Sequence, residues 1–300
     1  MNKKSFLIYG SIILAMLFWS FSFVWVKIVY TVYNPITTVI LRLIISSALL
    51  FLIGKGLHKI QKIDKKDRTQ LMLLAFFEPF LYFMGESFGL KFVSSTLGAV
   101  IISTIPLFSP VAAYFFHREK IGIMGIVGIL ISVFGVSIII FNKDLNLIAS
   151  PLGVALMFLA VGSAIAYSIV LKNLAAKYNP ITLISYQNLV GIMLFLPLFF
   201  IFEFQDFIHA KPTVDVLISL FELAIFASSL AFIFFTYGLN HIGITKTNIF
   251  INAIPVFTAI FAFFVLDEIL NFQKIIGISI VISGLFLSQA KFKLSKFKGK

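Results

Sequence analysis

The chain has 300 residues, of which 60% are hydrophobic and only 12% charged, with a net charge of +12. A soluble domain of this size is nearer half apolar and a quarter charged, so the composition excludes an ordinary soluble protein and points to a multi-span membrane protein. Cysteine is absent, which rules out disulfides, thiolate metal sites and a cysteine nucleophile. The four His form no HExxH motif and no close-spaced cluster, so neither a metal nor another cofactor is expected.

Ten apolar stretches follow one another along the chain: 6–28, 34–53, 69–89, 94–116, 121–141, 151–171, 181–202, 216–238, 247–266 and 274–290. Each has about the 20 residues that a helix needs to cross a bilayer. None shows the period-two alternation of a barrel strand. The expected fold is therefore an all-α membrane protein with ten transmembrane helices. Met1–Lys4 followed by an apolar run resembles a secretory leader, but the run is too long and lacks an A-x-A site, so it reads as the first span. With the amino terminus inside, eighteen of the 24 Lys and Arg fall in inner segments. Five (Lys27, Lys91, Lys143, Lys211 and Lys274) fall outside, and Arg42 falls within a span. This bias places both termini in the cytoplasm. The positive charge thus records orientation, and no nucleic-acid partner is expected. Residues 290–300 form a basic cytoplasmic tail suited to contact with anionic membrane lipids.

The pentapeptide YNPIT stands at Tyr33–Thr37 and again at Tyr178–Thr182. In the same register Lys27 meets Lys172, and Arg42 meets Gln187. In a second register, four residues longer, Leu90 meets Leu239 and Pro106 meets Pro255. Glu119 then meets Glu268, Gly128 meets Gly277, and Gly135 meets Gly284. Spans 1–5 and 6–10 therefore read as repeats. An odd number of spans per copy makes the second copy enter from the opposite side, so the repeats are expected to be inverted. Inverted repeats recur in secondary transporters, with the site near the midplane between the halves. In each YNPIT, Asn-Pro is expected to open a helix, with Pro in the first turn, where its missing N–H costs nothing.

Ten spans as five plus five, Arg42 in the second span and a closing Pro, Glu, Gly, Gly pattern in each half resemble the EamA family. That family belongs to the drug/metabolite transporter (DMT) superfamily. The closing pattern reads Pro106, Glu119, Gly128, Gly135 in the first half and Pro255, Glu268, Gly277, Gly284 in the second. The resemblance covers residues 6–141 and 151–289, the expected first and second five-helix repeats. It implies a carrier of small metabolites in the bacterial inner membrane, often an exporter of amino acids or related compounds. Gln187 departs from it, standing where the second copy would carry arginine.

Ionisable groups within spans are costly and usually face a cavity or a partner. Arg42 could hold a substrate carboxylate in a bidentate pair, form a structural ion pair, or cap the carbonyls of a broken helix. Glu78, Tyr82 and Glu86 lie at i, i+4, i+8 and so share one helical face. A carboxylate at that depth can exchange a proton or pair with a substrate ammonium; a fixed bridge to Arg42 or Lys91, or a rim carboxylate in water, is the competing role. Pro79, Pro106, Pro110 and Pro255 are expected to kink their helices. Beside the kinks, Ser103, Asn248 and Asn252 could line the cavity or bond between helices. Trp19 reads as a cavity wall or a packed core residue, and Tyr167 and Gln187 are further candidates from the second half. Glu119 and Glu268 read as helix ends with loop salt bridges. Gly122, Gly125 and Gly128 read as a close-packing stripe.

The sequence carries no Walker A pattern. It also offers no nucleophile–base pair at depth, so no enzymatic activity is expected. The first reading is an amino-acid or metabolite exporter working by alternating access. The second is proton-coupled or exchange uptake of a cationic or zwitterionic metabolite. The partners expected are a small-molecule substrate, membrane lipids and, where transport is proton-coupled rather than simple exchange, protons; the carrier is expected as a monomer or homodimer.

Overall fold

The computed structural model describes residues 3–108, 123–140, 149–243 and 247–289. Among these the chain is helical, with no strand. We number the helices α1 (Lys3–Val29), α2 (Pro35–Gly56), α3 (Lys65–Phe92), α4 (Ser95–Phe108), α5 (Ile123–Ile140), α6 (Pro151–Ala175), α7 (Pro180–His209), α8 (Val214–Ile242), α9 (Phe250–Leu266) and α10 (Phe272–Gln289). Six of them, α1, α2, α3, α6, α7 and α8, are apolar over 22 to 30 residues, long enough to cross a bilayer. The other four are shorter apolar helices.

Sequence chemistry starts and stops these helices. Asn34 and Asn179 precede Pro35 and Pro180 at the first turns of α2 and α7, as the two YNPIT words led us to expect. Asn179 accepts from Thr182 N at 2.9 Å. Asn34 is extended but makes no such bond; its helix is capped from elsewhere. The Glu203 carboxylate of α7 accepts from Ile36 N at 3.1 Å, Thr37 N at 2.7 Å and Thr37 Oγ1 at 2.8 Å. A carboxylate suits the positive end of a helix and satisfies N–H groups that have no partner within it.

The same device recurs at α4. Glu268, just past α9, accepts from Ser95 N at 2.7 Å and from Thr96 Oγ1 at 2.8 Å. Asp267, in the left-handed conformation at φ 53°, turns the chain there. Glu268 is therefore a cap on another helix, which corrects the expectation of a loop salt bridge. Its repeat mate Glu119 lies outside the described residues. At the other end of the α2–α7 pair, Lys177 Nζ and Tyr178 OH both donate to Asp67, at 2.7 and 2.8 Å. That bond holds the Lys177 ammonium above the ordinary lysine pKa. Asn179 N donates to Gln61 Oε1 at 2.6 Å, and Thr182 Oγ1 to Lys59 O at 3.0 Å.

Helices pack in pairs. Helix α2 lies along α7, α3 along α6, α1 along α8 and α9, α4 against α9 and α6, and α5 along α10. Lipid tails are as apolar as leucine, so association in a membrane relies on close packing and interhelical hydrogen bonds. Glycine supplies the approach. A Cβ on Gly85 of α3 would meet Leu156 O at 2.5 Å and Ala160 N at 2.7 Å of α6. Gly135, Gly277 and Gly284 let α5 and α10 touch in the same way, and Ser132 Oγ donates across to Val281 O at 3.0 Å. Of the expected stripe, Gly128 takes part through its carbonyl beside Gly284; Gly122 lies outside the described residues.

Gly85→Ala forces two helices apart at backbone atoms that cannot swing aside. It should lower stability by about 1–3 kcal/mol, read as the thermal midpoint in detergent. Gly162→Ala, where an added Cβ meets nothing within 4 Å, should leave that midpoint unchanged or raised. Glu268→Ala removes a charged cap and should lower stability by about 1.5–3 kcal/mol in the same assay.

Candidate functional site

Four helices are irregular where they approach the centre of the bundle. In α3 a π turn spans Phe76–Leu81, and Glu78 leaves helical geometry at φ −145°, ψ 118°. In α8 a π turn spans Leu223–Leu230. The two segments correspond under the longer repeat register, although only the first contains a proline, Pro79. Gly191 of α7 leaves the room that the Pro79 ring occupies. Helix α4 is interrupted by a turn at residues 103–104, and α9 begins with a 3-10 segment, Ile249–Ala253. Pro106 and Pro255 therefore do not kink continuous helices as expected. Each sits in the first turn of the helical piece after the break, the position where proline removes no bond. Pro110 lies outside the described residues.

Backbone groups released by these irregularities find partners on neighbouring helices. Ser163 Oγ of α6 donates to Phe77 O at 2.5 Å, and Trp19 Nε1 of α1 donates to Ala227 O at 3.3 Å. At the α8 turn, Ser228 O accepts from Ser46 Oγ of α2 at 3.1 Å. Asn188 Nδ2 of α7 donates to Ser46 Oγ at 2.8 Å.

The helices that carry these segments line a cavity with about 650 Å³ of empty space, counting its open mouth. Its polar wall is formed by Arg42, Glu78, Tyr82, Glu86, Tyr167 and Asn248. The apolar wall includes Trp19, Phe83, Phe232, Phe235, Ile251 and Ile254. Arg42 is buried; its Nε donates to Ser228 Oγ at 2.7 Å, and its guanidinium carbon lies 4.5 Å from the centre of the Phe83 ring. Among the described residues the ion pairs are Lys66–Asp64 and Lys177–Asp67, and none involves Arg42. The fixed bridge to Glu78 considered from the sequence is thus not formed. Glu86 is buried, not at a wet rim, and accepts from Tyr82 OH at 2.9 Å. Glu78 is also buried and reaches the cavity. The Trp19 ring packs against Phe232 and Phe235 at 5.2 and 5.1 Å between centroids.

Seven of the ten substrate-binding candidates thus share this wall: Trp19, Arg42, Glu78, Tyr82, Glu86, Tyr167 and Asn248. Three do not. Gln187 lies behind the wall and accepts from Tyr167 OH at 3.2 Å. Ser103 turns back on its own helix, donating to Val100 O at 2.7 Å. Asn252 is buried off the wall, with both amide atoms unpartnered among the described residues. Sequence reasoning passed over Ser228, Ser229, Ser46 and Asn188. A signal existed, because two adjacent serines within an apolar span stand opposite Pro79 in the repeat register.

With one cation, two carboxyl groups and an aromatic wall, the cavity can receive a small amphipathic molecule bearing charge of both signs. Nothing in this arrangement supplies a nucleophile–base pair. Comparison with known proteins gives the site its setting. The description "EamA-like transporter family" matches residues 6–141 and 151–289. An uncharacterized transporter of Bacillus subtilis, YetK, is 29% identical over 260 residues, 84% of this chain and 78% of its own length. An uncharacterized transporter of Archaeoglobus fulgidus is 26% identical over 293 residues, 97% of this chain and 99% of its own. A WAT1-related chloroplastic protein of Arabidopsis thaliana is 25% identical over 295 residues, 95% of this chain and 70% of its own. A solved crystal structure shares the fold, with a TM-score of 0.70 at 15% identity over 94% of this chain and 97% of that one. The chain is a multi-pass membrane protein and belongs to the EamA-like transporter family, whose members move small molecules across membranes.

Proposed function

We propose that this protein is a secondary carrier for amino acids or related zwitterions, working by alternating access in the bacterial inner membrane. The observation that carries this reading is the buried Arg42, which lines the cavity with no carboxylate of a described residue in ion-pair range, while Glu78 and Glu86 share the same wall. A buried cation without a direct ion-pair partner costs on the order of 3 kcal/mol in a bilayer. A substrate carboxylate taking the guanidinium in a bidentate pair offsets that cost. The substrate ammonium then faces Glu78 and Glu86, and its apolar part lies against Phe232, Phe235, Ile251 and Ile254.

Alternating access is supported by how the helices pair. Let residues 6–141 and 151–289 be two five-helix repeats, with all ten helices crossing the membrane, both termini cytoplasmic and residues 290–300 a cytoplasmic tail. Exchanging the repeats then leaves the contacts unchanged in kind. Helices α2 and α7, α4 and α9, and α5 and α10 are mates packed on each other. The pair α1–α8 exchanges with α6–α3, and α1–α9 with α6–α4. Mates run antiparallel: Glu203 at the end of α7 meets the start of α2, and Lys59 beyond α2 meets the start of α7. Antiparallel mates are what an inverted repeat requires, and inverted halves can exchange conformations about a central site. Export is the direction carried by the family resemblance. The second reading, proton-coupled or exchange uptake of a cationic or zwitterionic metabolite, is favoured by one observation: two carboxyl groups on the wall face a single arginine.

Purified protein in liposomes should exchange labelled amino acids above the level of empty liposomes. Arg42→Gln should reduce that exchange by about tenfold or more, the loss expected for a charge-assisted pair. A broad metabolite panel with no member exchanged would overturn the carrier reading. Across a pH series, Glu78→Gln should alter the shape of the rate profile, whereas Glu268→Gln should leave the shape intact. Equal, small effects of the two would remove Glu78 from the mechanism.

A further inference from the structure

We propose that Ser228 is a positioning residue that sets selectivity for a carboxylate, by holding Arg42 so that the end of its guanidinium faces the substrate. The inference rests on the carrier reading above and deepens it. A guanidinium can grip a carboxylate bidentately along two edges, the side edge that includes Nε or the end edge between the two Nη atoms. Ser228 Oγ occupies Nε at 2.7 Å, so the side edge is taken. The Phe83 ring lies 4.5 Å from Cζ and covers one face. One contact fixes the group within its plane and the other fixes the tilt of that plane. What remains toward the cavity is the end edge, with no carboxylate of a described residue in ion-pair range.

Ser228 is itself braced. It lies in the π turn of α8, and its carbonyl accepts from Ser46 Oγ at 3.1 Å and from Asn188 Nδ2 at 3.4 Å. Ser46 Oγ and Ser229 Oγ are 2.6 Å apart, and Ser229 Oγ donates to Ala224 O at 2.8 Å. Ser46, Asn188, Ser228 and Ser229 are all buried. Three helices thus determine where one hydroxyl stands, and that hydroxyl determines where the guanidinium points. A fixed, planar donor pair fits the two oxygens of a carboxylate. A primary amide presents one acceptor and an NH₂ that opposes the second donor, so it gains little from the same precision.

The test uses proteoliposome counterflow with labelled L-leucine, and L-leucinamide as the competitor. Ser228→Ala should raise the KM for leucine about tenfold with little change in maximal rate, the scale of losing alignment in a charge-assisted bond. The inhibition constant of leucinamide should move less than about twofold, so the selectivity ratio collapses. Ser228→Thr, which keeps the hydroxyl, should restore the ratio. Ser46→Ala, which loosens the brace without touching Arg42, should move leucine in the same direction by a smaller factor; this variant keeps the test decisive if Ser228→Ala fails to fold. Equal weakening of leucine and leucinamide, or a fall in maximal rate alone, overturns the inference and leaves the carrier reading intact. A wild-type protein that exchanges no leucine counts against the amino-acid reading itself, and this inference falls with it.

Discussion

A backbone group released within a bilayer has no water to turn to, and leaving it unpaired costs several kcal/mol. This protein breaks regular helix geometry at the π turns of α3 and α8, at the interruption of α4 and at the start of α9. The π turns of α3 and α8 are served by neighbours: Ser163 serves Phe77 O, Trp19 serves Ala227 O, and Ser46 with Asn188 serves Ser228 O. The partners come from α6, α1, α2 and α7. Satisfying the irregular backbone therefore draws these helices to one place, and the cavity lies there. Irregular backbone in a membrane is tolerated where it is buried in protein or lines a cavity. The α8 turn is buried in protein, and the α3 turn reaches the cavity through Glu78.

The charges in the cavity follow a different logic from those at the helix ends. Glu203 and Glu268 are spent on N–H groups of α2 and α4, and Asp67 on Lys177 and Tyr178. These groups bind one part of the chain to another and leave little capacity for a ligand. Arg42 is bound once through Nε, and Glu86 once through Tyr82. Their remaining hydrogen-bonding capacity faces a space lined largely by aromatic and aliphatic side chains. Low polarity around a charge strengthens its interaction with an incoming opposite charge and penalises its isolation. The same surroundings thus make the groups expensive to keep and selective in what they accept.

Close approach of helices sets the frame in which these groups meet. Gly85 lies one residue before Glu86, and its lack of a side chain brings α3 against α6. Tyr167 projects from that same α6 into the cavity and is steadied by Gln187 of α7. Gly191, one turn beyond Gln187, accommodates Pro79 beside Glu78. Packing residues and cavity-lining residues therefore lie close together along the same helices.

The sequence by itself determined the class, the positions of the helices and most of the wall. Length of apolar runs is a local property, and so is the cost of a charge within one, which is why Arg42, Glu78 and Glu86 stood out before any contact was known. The repeated YNPIT marked two helix starts for the same reason: Asn and Pro act on their own turn. Only the tertiary structure decided what each group touches. Ser103 and Asn252 looked as eligible as Asn248, yet the turn before Pro106 and the 3-10 segment before Pro255 aim them off the wall. Glu268 looked like a loop residue until α9 and α4 were placed end to start. Ser228 is marked in the sequence only by its place opposite Pro79 in the repeat register; its bond to an arginine 186 positions away in the chain comes from the packing of α8 on α2. Periodicity reports which face a residue occupies, but the partner across that face is set by helix packing, which no local pattern encodes.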